Sequence, residues 1–205
     1  MQDVCVIKAV KKRKRNRDGK DQDSERTSMR RIIEKELGNL TIASFYFNKE
    51  DASSHLTGFV HHYNENELLI AHITSRGEYD GFVLKRMEDL FRIEYNGEYE
   101  KKIHQLYLLK KQSHPIVECN EEDILFPLLN FAQKKQFLIT LKLESDEVTG
   151  FVEEYDDYIH LLVVDENGNE NGKSIVNIDD VLAFACDTDY EQDLKLIYNN
   201  SKIYE

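Results

Sequence analysis

Apolar and polar residues alternate with period two along two stretches of the chain, and each stretch gives way to a helical period. In the first, strands are predicted over Thr41–Phe47, Leu56–His62, Glu67–Thr74, Phe82–Met87 and Leu90–Tyr95, bounded by polar loops and by the turn Ser75–Gly81. The period then changes: Tyr99, Ile103, Leu106 and Tyr107 fall at i, i+4, i+7 and i+8, one apolar stripe on a helix. In the second, the predicted strands are Phe137–Leu143, Val148–Glu154, Tyr158–Asp165, Ser174–Ile178 and Val181–Cys186, and Tyr190, Leu194, Ile197 and Tyr198 form the matching stripe. A short helix over Met29–Leu37, capped by Ser28 and Gly38, precedes the first set. A helix running from a cap at Asn120 to about Lys135 precedes the second, with Pro127 weakening its first half.

The two stretches are copies. Thr57-Gly58-Phe59-Val60 with Tyr63 returns as Thr149-Gly150-Phe151-Val152 with Tyr155, 92 residues on. Gly77, Gly81, Asp89, Tyr99-Glu100 and Tyr107 return as Gly168, Gly172, Asp180, Tyr190-Glu191 and Tyr198 at an offset of 91. Matches at turn glycines and helix anchors, outside the strands, identify an internal duplication. Ser113-His114-Pro115 ends the first copy, because a residue before proline avoids the helical region. The organisation read from this is a basic arm over residues 1–27, one repeat over 28–112 and a second over 113–205.

Charge divides the chain unevenly. The formal net charge is −12, yet residues 1–35 carry 12 Lys/Arg against 6 Asp/Glu. The basic run Lys11, Lys12, Arg13, Lys14, Arg15 and Arg17 reads as a solvated tail or as an arm for nucleic acid or an acidic partner. Val4–Val10 is apolar enough to add a strand to a sheet edge. The acidic remainder repels nucleic acid and anionic membranes. Three scattered cysteines, none in a C-x-x-C pair, point to a reduced, cytoplasmic protein with no zinc site. No apolar run reaches membrane-spanning length, and Val4–Ile7 stands before the basic run, the wrong order for a signal peptide.

Candidate chemistry is sparse. Asp165–Gly172 alternates oxygen ligands as calcium loops do, but its glycines fall at the wrong places and it reads as a hairpin turn. His55, His61 and His62 read as surface histidines, since adjacent strand residues point to opposite faces. Glu153-Glu154-Tyr155-Asp156-Asp157 is a solvated acidic rim, or the acid and base of a metal-dependent hydrolase. No cofactor fingerprint is present, and none is expected.

The repeat resembles the Sm-like fold. After the glycine strand, the first Sm motif has an aromatic-Asp pair, two free positions, an apolar residue and Asn. Here Gly150-Phe151-Val152 leads to Tyr155-Asp156, then Asp157-Tyr158, then Ile159-His160-Leu161. Gly58-Phe59-Val60 leads to Glu65, Asn66-Glu67 and Leu68-Leu69-Ile70 with one inserted residue. The base-reading Asn of the family is His160 in one copy and Leu69 in the other, and the basic-Gly second motif is replaced by Glu88-Asp89 and Asp179-Asp180. The resemblance implies a mainly β, α+β chain of two tandem five-stranded barrels (Sm-like or SH3-like), each with an N-terminal and a C-terminal helix. Gly58, Gly150, Gly81 and Gly172 are then structural, at barrel bends and turns.

The expected function is that of a non-catalytic module that binds another macromolecule, a protein in the first place, packed as an intramolecular pseudo-dimer and open to homo-oligomerisation. The alternative is RNA or DNA binding by the basic arm with Tyr63, Tyr155, Asp156, Tyr158 and His160.

Overall fold

The period-two segments form strands, and the helical stripes form helices. The computed structural model describes residues 29–37, 41–51, 53–120 and 122–202. Helix α1 spans residues 29–36. It is followed by β1 (Ile42–Tyr46), β2 (Leu56–Tyr63), β3 (Glu67–Ile73), β4 (Tyr79–Arg86), β5 (Arg92–Tyr95) and α2 (Glu98–Leu109). Then come α3 (Leu125–Lys135), β6 (Leu138–Lys142), β7 (Glu147–Tyr155), β8 (Tyr158–Val164), β9 (Glu170–Asn177), β10 (Ala183–Cys186) and α4 (Asp189–Ser201). The acidic breaks before β5 and β10 are single 3₁₀ turns, Met87–Asp89 and Ile178–Asp180. The basic run and the caps at Ser28 and Gly38 lie outside the described residues.

The architecture is β-rich α+β: ten strands in one open antiparallel sheet, in the order β5-β1-β2-β3-β4-β10-β6-β7-β8-β9. The duplication is visible in the register. Gly58 pairs with His72 and Gly150 with Val163, and the bulge after Val60 recurs after Val152. A side chain on either glycine has no room: a Cβ on Gly58 would stand 2.1 Å from the Ala71 carbonyl oxygen, and one on Gly150 2.4 Å from that of Leu162.

The expected closure into two barrels is corrected. Within the first copy β5 returns to β1, leaving the outer edge of β4 without a partner from its own copy. That edge takes β10 instead, with Ala183 opposite Lys85, Phe184 opposite Leu84 and Cys186 opposite Phe82. Backbone donors and acceptors at a buried edge must be paired, and here the neighbouring copy pairs them.

The cores follow the same join. Ile33 and Leu37 pack with Phe45, Leu68, Ile70 and Met87 inside the first copy. The opposite face of β3 and β4, with Leu69, Ala71, Phe82 and Leu84, packs with α3 residues Leu125, Leu128 and Leu129 and with Phe184. One core therefore spans both copies. Helix α3 starts at Leu125, later than the sequence suggested, with Asp123 Oδ1 accepting from the Phe126 amide 3.1 Å away. Pro127 then sits in the first turn, where a missing N–H costs nothing. The C-terminal helical stripes are only half buried: Ile103, Tyr107 and Leu194 are inside, but Tyr99, Tyr190 and Ile197 are exposed. No helix among the described residues is long and apolar enough to cross a membrane.

Candidate interaction edge at the free end of the sheet

Two edges of the sheet have no strand beside them among the described residues, β5 and β9. The chemistry at β5 is best understood from its counterpart β10, which is occupied.

At the occupied junction, the start of β4 seats against the end of β10 and the first turn of α4. Tyr79 Oη donates to Asp187 Oδ2 at 2.8 Å, and the Asp189 amide donates to Asp80 Oδ1 at 2.6 Å. Asp80 thus serves a helix N-terminus that belongs to the other copy. His72 Nδ1 stands 2.8 Å from Asp80 Oδ2, a close contact outside hydrogen-bond geometry. Burial, then the Asp187 carboxylate, raises the Tyr79 pKa. Gly81 has a φ of +61°, and a Cβ there would lie 2.2 Å from the Cys186 carbonyl oxygen. Only glycine lets the two backbones come this close.

The linker is pinned to the same junction. His114 Nε2 donates to the His72 carbonyl at 2.8 Å, and its Nδ1 lies 2.9 Å from the Tyr107 hydroxyl, which places the proton on Nε2. Its ring stacks on Tyr107 and meets Tyr79 and Phe82. Burial lowers its pKa to about 4, with His61 and His72 adding repulsion. A histidine whose folded pKa lies below its ordinary 6.5 favours the unfolded chain as it gains its proton. Stability from this group is therefore expected to fall as pH drops from about 6.5 to about 4. Asp187, Asp189 and Glu191, whose pKa values burial raises, work in the opposite sense. Chemical denaturation of wild type and His114→Phe across that range tests the histidine: the variant's acid-side decline should be shallower but not abolished, since burial lowers the His61 pKa as well. Equal slopes would count against it.

The vacant counterpart lies at β5. By the 91-residue offset, Asn96, Glu98 and Glu100 replace Asp187, Asp189 and Glu191. Asn96 keeps the left-handed backbone, with φ of 61° against 57° at Asp187. Next to β5, among the described residues, lies an open groove of about 560 Å³ lined by Tyr46, His55, Glu94, Glu98, Tyr99 and neighbours. Its walls are aromatic and acidic. His55 packs on Tyr46 at 5.2 Å and edge-on to Tyr99 at 5.6 Å. Tyr46 Oη donates to Glu94 Oε2 at 2.6 Å, and the Arg92 guanidinium stands 4.4 Å over the Tyr46 ring. Burial, then this bond, pushes the Tyr46 pKa up to about 12, while the Tyr46 hydroxyl and then Arg92 hold Glu94 below the carboxylate range.

Beneath each groove lies a buried carboxylate. Ser44 donates to Glu100 Oε1 at 2.6 Å, and Thr140 to Glu191 Oε1 at 2.5 Å. These glutamates tie the first turn of α2 to β1 and of α4 to β6. The repeated Tyr-Glu pairs were the only sequence signal for them; in composition they read as surface charge.

The sequence-predicted residues do not converge on one site. Tyr63 packs on the first-copy core, and Tyr155 on the second beside Phe126. Asp156 accepts from the Tyr158 amide at 2.9 Å in the β7–β8 turn, and Tyr158 is exposed. Glu153 of the acidic rim pairs with Lys173 at 2.8 Å. Asp165 accepts from the Asn167 and Asn169 amides in a hairpin turn shorter than the sequence suggested, since residues 170–172 already belong to β9. His61 and His62 are half-buried rather than surface residues: the Val117 amide donates to His61 Nε2 at 3.3 Å, and the His61 ring meets Phe82. Leu69, in the Sm-motif position, is fully buried beneath the second copy, whereas its counterpart His160 lies on the open face of β8. Gly81 sits in the junction, and Gly172, its counterpart on β9, has nothing within 4 Å of its Cβ position.

No protein-family model matches this chain, and neither does any curated protein or solved structure.

Proposed function

We propose that this chain is a non-catalytic, cytoplasmic protein-interaction module, built from two Sm-like halves joined edge to edge, that takes an extended segment of a partner protein at β5. The carrying observation is that, among the described residues, the edge of β5 has no strand beside it, whereas its duplicate β10 is paired with β4. Strand addition gives affinity through main-chain hydrogen bonds and selectivity through the side chains at the groove. The aromatic and acidic lining suits a segment that carries a cation, by cation–π and carboxylate contacts. The strand orders β5-β1-β2-β3-β4 and β10-β6-β7-β8-β9 support the Sm-like reading, since both copies use one order. The clustered polar groups support a binding role over catalysis, because Glu100, Glu191, Asp80 and Asp187 are each already held by a hydroxyl or an amide.

The test is quantitative capture from native lysate with full-length wild type and Ile93→Lys, alongside a metabolite turnover panel. The reading expects a protein bound by wild type, lost in the variant, and no turnover. Turnover without any protein that depends on Ile93 would refute it.

A further inference from the structure

The strand that fits the β5 groove is present on the opposite end of the same molecule. Resting on the reading of β5 as a protein-binding edge, we propose that its occupant is β9 of a second copy, so that chains associate head to tail.

The occupied junction supplies the template. β4 corresponds to β9 and β10 to β5 at one offset, so the observed pairs translate into Arg92 opposite Val176, Ile93 opposite Ile175, Glu94 opposite Ser174, and Tyr95 opposite Lys173. The pair Phe184–Leu84 becomes Ile93–Ile175, apolar in both cases. Ile175 is 63% exposed in the single chain, where Leu84 is 5% exposed. Around it, His160 and Leu162 are partly open, whereas their counterparts Leu69 and Ala71 are buried.

The backbone has the same shape on both sides. Gly172 has φ of +75°, as Gly81 has +61°, yet nothing stands within 4 Å of its Cβ position. The left-handed Asn96 stands where Asp187 receives Gly81. Both halves of the close approach are therefore present on one chain. Asn171 takes the position of Asp80, with a side-chain oxygen to accept from the Glu98 amide at the start of α2. Lys173, which pairs with Glu153 in the single chain, comes opposite Tyr95 on the face that carries Ile93.

The helix that would cover the new junction differs. α3 presents Leu125, Leu128 and Leu129 to the internal join, while Arg31, Glu34 and Lys35 of α1 are exposed. Less apolar area is buried, so the contact between chains is weaker than the internal one and concentration-dependent. Being heterologous, it continues until it closes into a ring or extends as a filament.

Sedimentation velocity on full-length protein over a wide concentration range is the test, with Ile93→Lys blocking one edge and Ile175→Lys the other. Circular dichroism of each variant checks folding, and Ile175 is exposed enough to accept lysine. Wild type is expected to exceed the 24.1 kDa chain mass increasingly with concentration. Each variant alone should stay monomeric. Their equimolar mixture should stop at twice the chain mass, because the pair uses the one intact β9 and the one intact β5 and both remaining edges carry lysine. A monomeric wild type, or oligomers that survive either substitution, would overturn the proposal. A monomeric wild type that still captures an Ile93-dependent protein would overturn self-pairing while leaving β5 as a binding edge. A monomer in which position 93 cross-links to Val4–Val10 of its own chain would assign the edge to that segment and overturn the proposal as well.

Discussion

Gly81→Val is expected to cost at least about 3 kcal/mol of folding stability, measured by chemical denaturation, and Gly172→Val no more than about 2 kcal/mol. The two glycines hold one position in the duplicate and have similar left-handed backbones, with φ of +61° and +75°. Each substitution therefore carries a similar backbone penalty, on the order of 1–2 kcal/mol. They differ in what a side chain meets. At Gly81 a Cβ would lie 2.2 Å from the Cys186 carbonyl oxygen and 2.4 Å from two Asp187 backbone atoms. None of these atoms can swing aside as the end of a flexible side chain can. At Gly172 no described residue comes within 4 Å of the Cβ position. The excess at Gly81 measures the close packing of β4 on β10, and equal costs at dilute concentration would contradict that packing.

Phe184→Ala should cost about 3–5 kcal/mol, and its counterpart Ile93→Ala about 1 kcal/mol. Phe184 has no exposed surface and stands between Leu84 on one neighbouring strand and Leu141 on the other. Removing its ring leaves a cavity in the centre of a ten-stranded sheet, where neither flanking strand can collapse inward. Among the described residues Ile93 has a strand on one side only, and it is partly exposed. Water already reaches it, so truncation there creates little new cavity. The comparison reads the same sheet position with and without an occupant. A large loss at Ile93 in the monomer would mean that the edge is not open.

Much of this arrangement is legible in the residues. Alternation placed a strand near each of the ten, but β4 and β9 begin at Tyr79 and Glu170, inside stretches that read as turns because of Gly81 and Gly172. The offset of 91 paired Gly81 with Gly172 and Glu100 with Glu191, since both copies solve the same packing problem. What alternation cannot specify is which edges meet. The choice rests on contacts far apart in sequence, such as the backbone approach at Gly81 and the packing of Leu69 and Leu84 beneath the second copy. The buried glutamates were hidden for a different reason. A carboxylate on a helix looks solvated in sequence, and its acceptors' partners Ser44 and Thr140 lie 56 and 51 residues away. His114 followed the same pattern: a residue before proline reads as linker, and only the fold brings Tyr79, Phe82 and Tyr107 around it. The helix stripes were overread, because Tyr99 and Tyr190 sit in the first turn, beyond the sheet that covers Ile103 and Leu194.

The most direct measurement is photo-cross-linking of the full-length protein in native lysate, with a benzophenone side chain at position 93 on β5 and, for comparison, at position 109, an exposed leucine at the end of α2. A protein adduct formed at position 93 and absent at position 109 is the result expected of an interaction edge. No protein adduct at position 93, or adducts of equal yield at both positions, would contradict it.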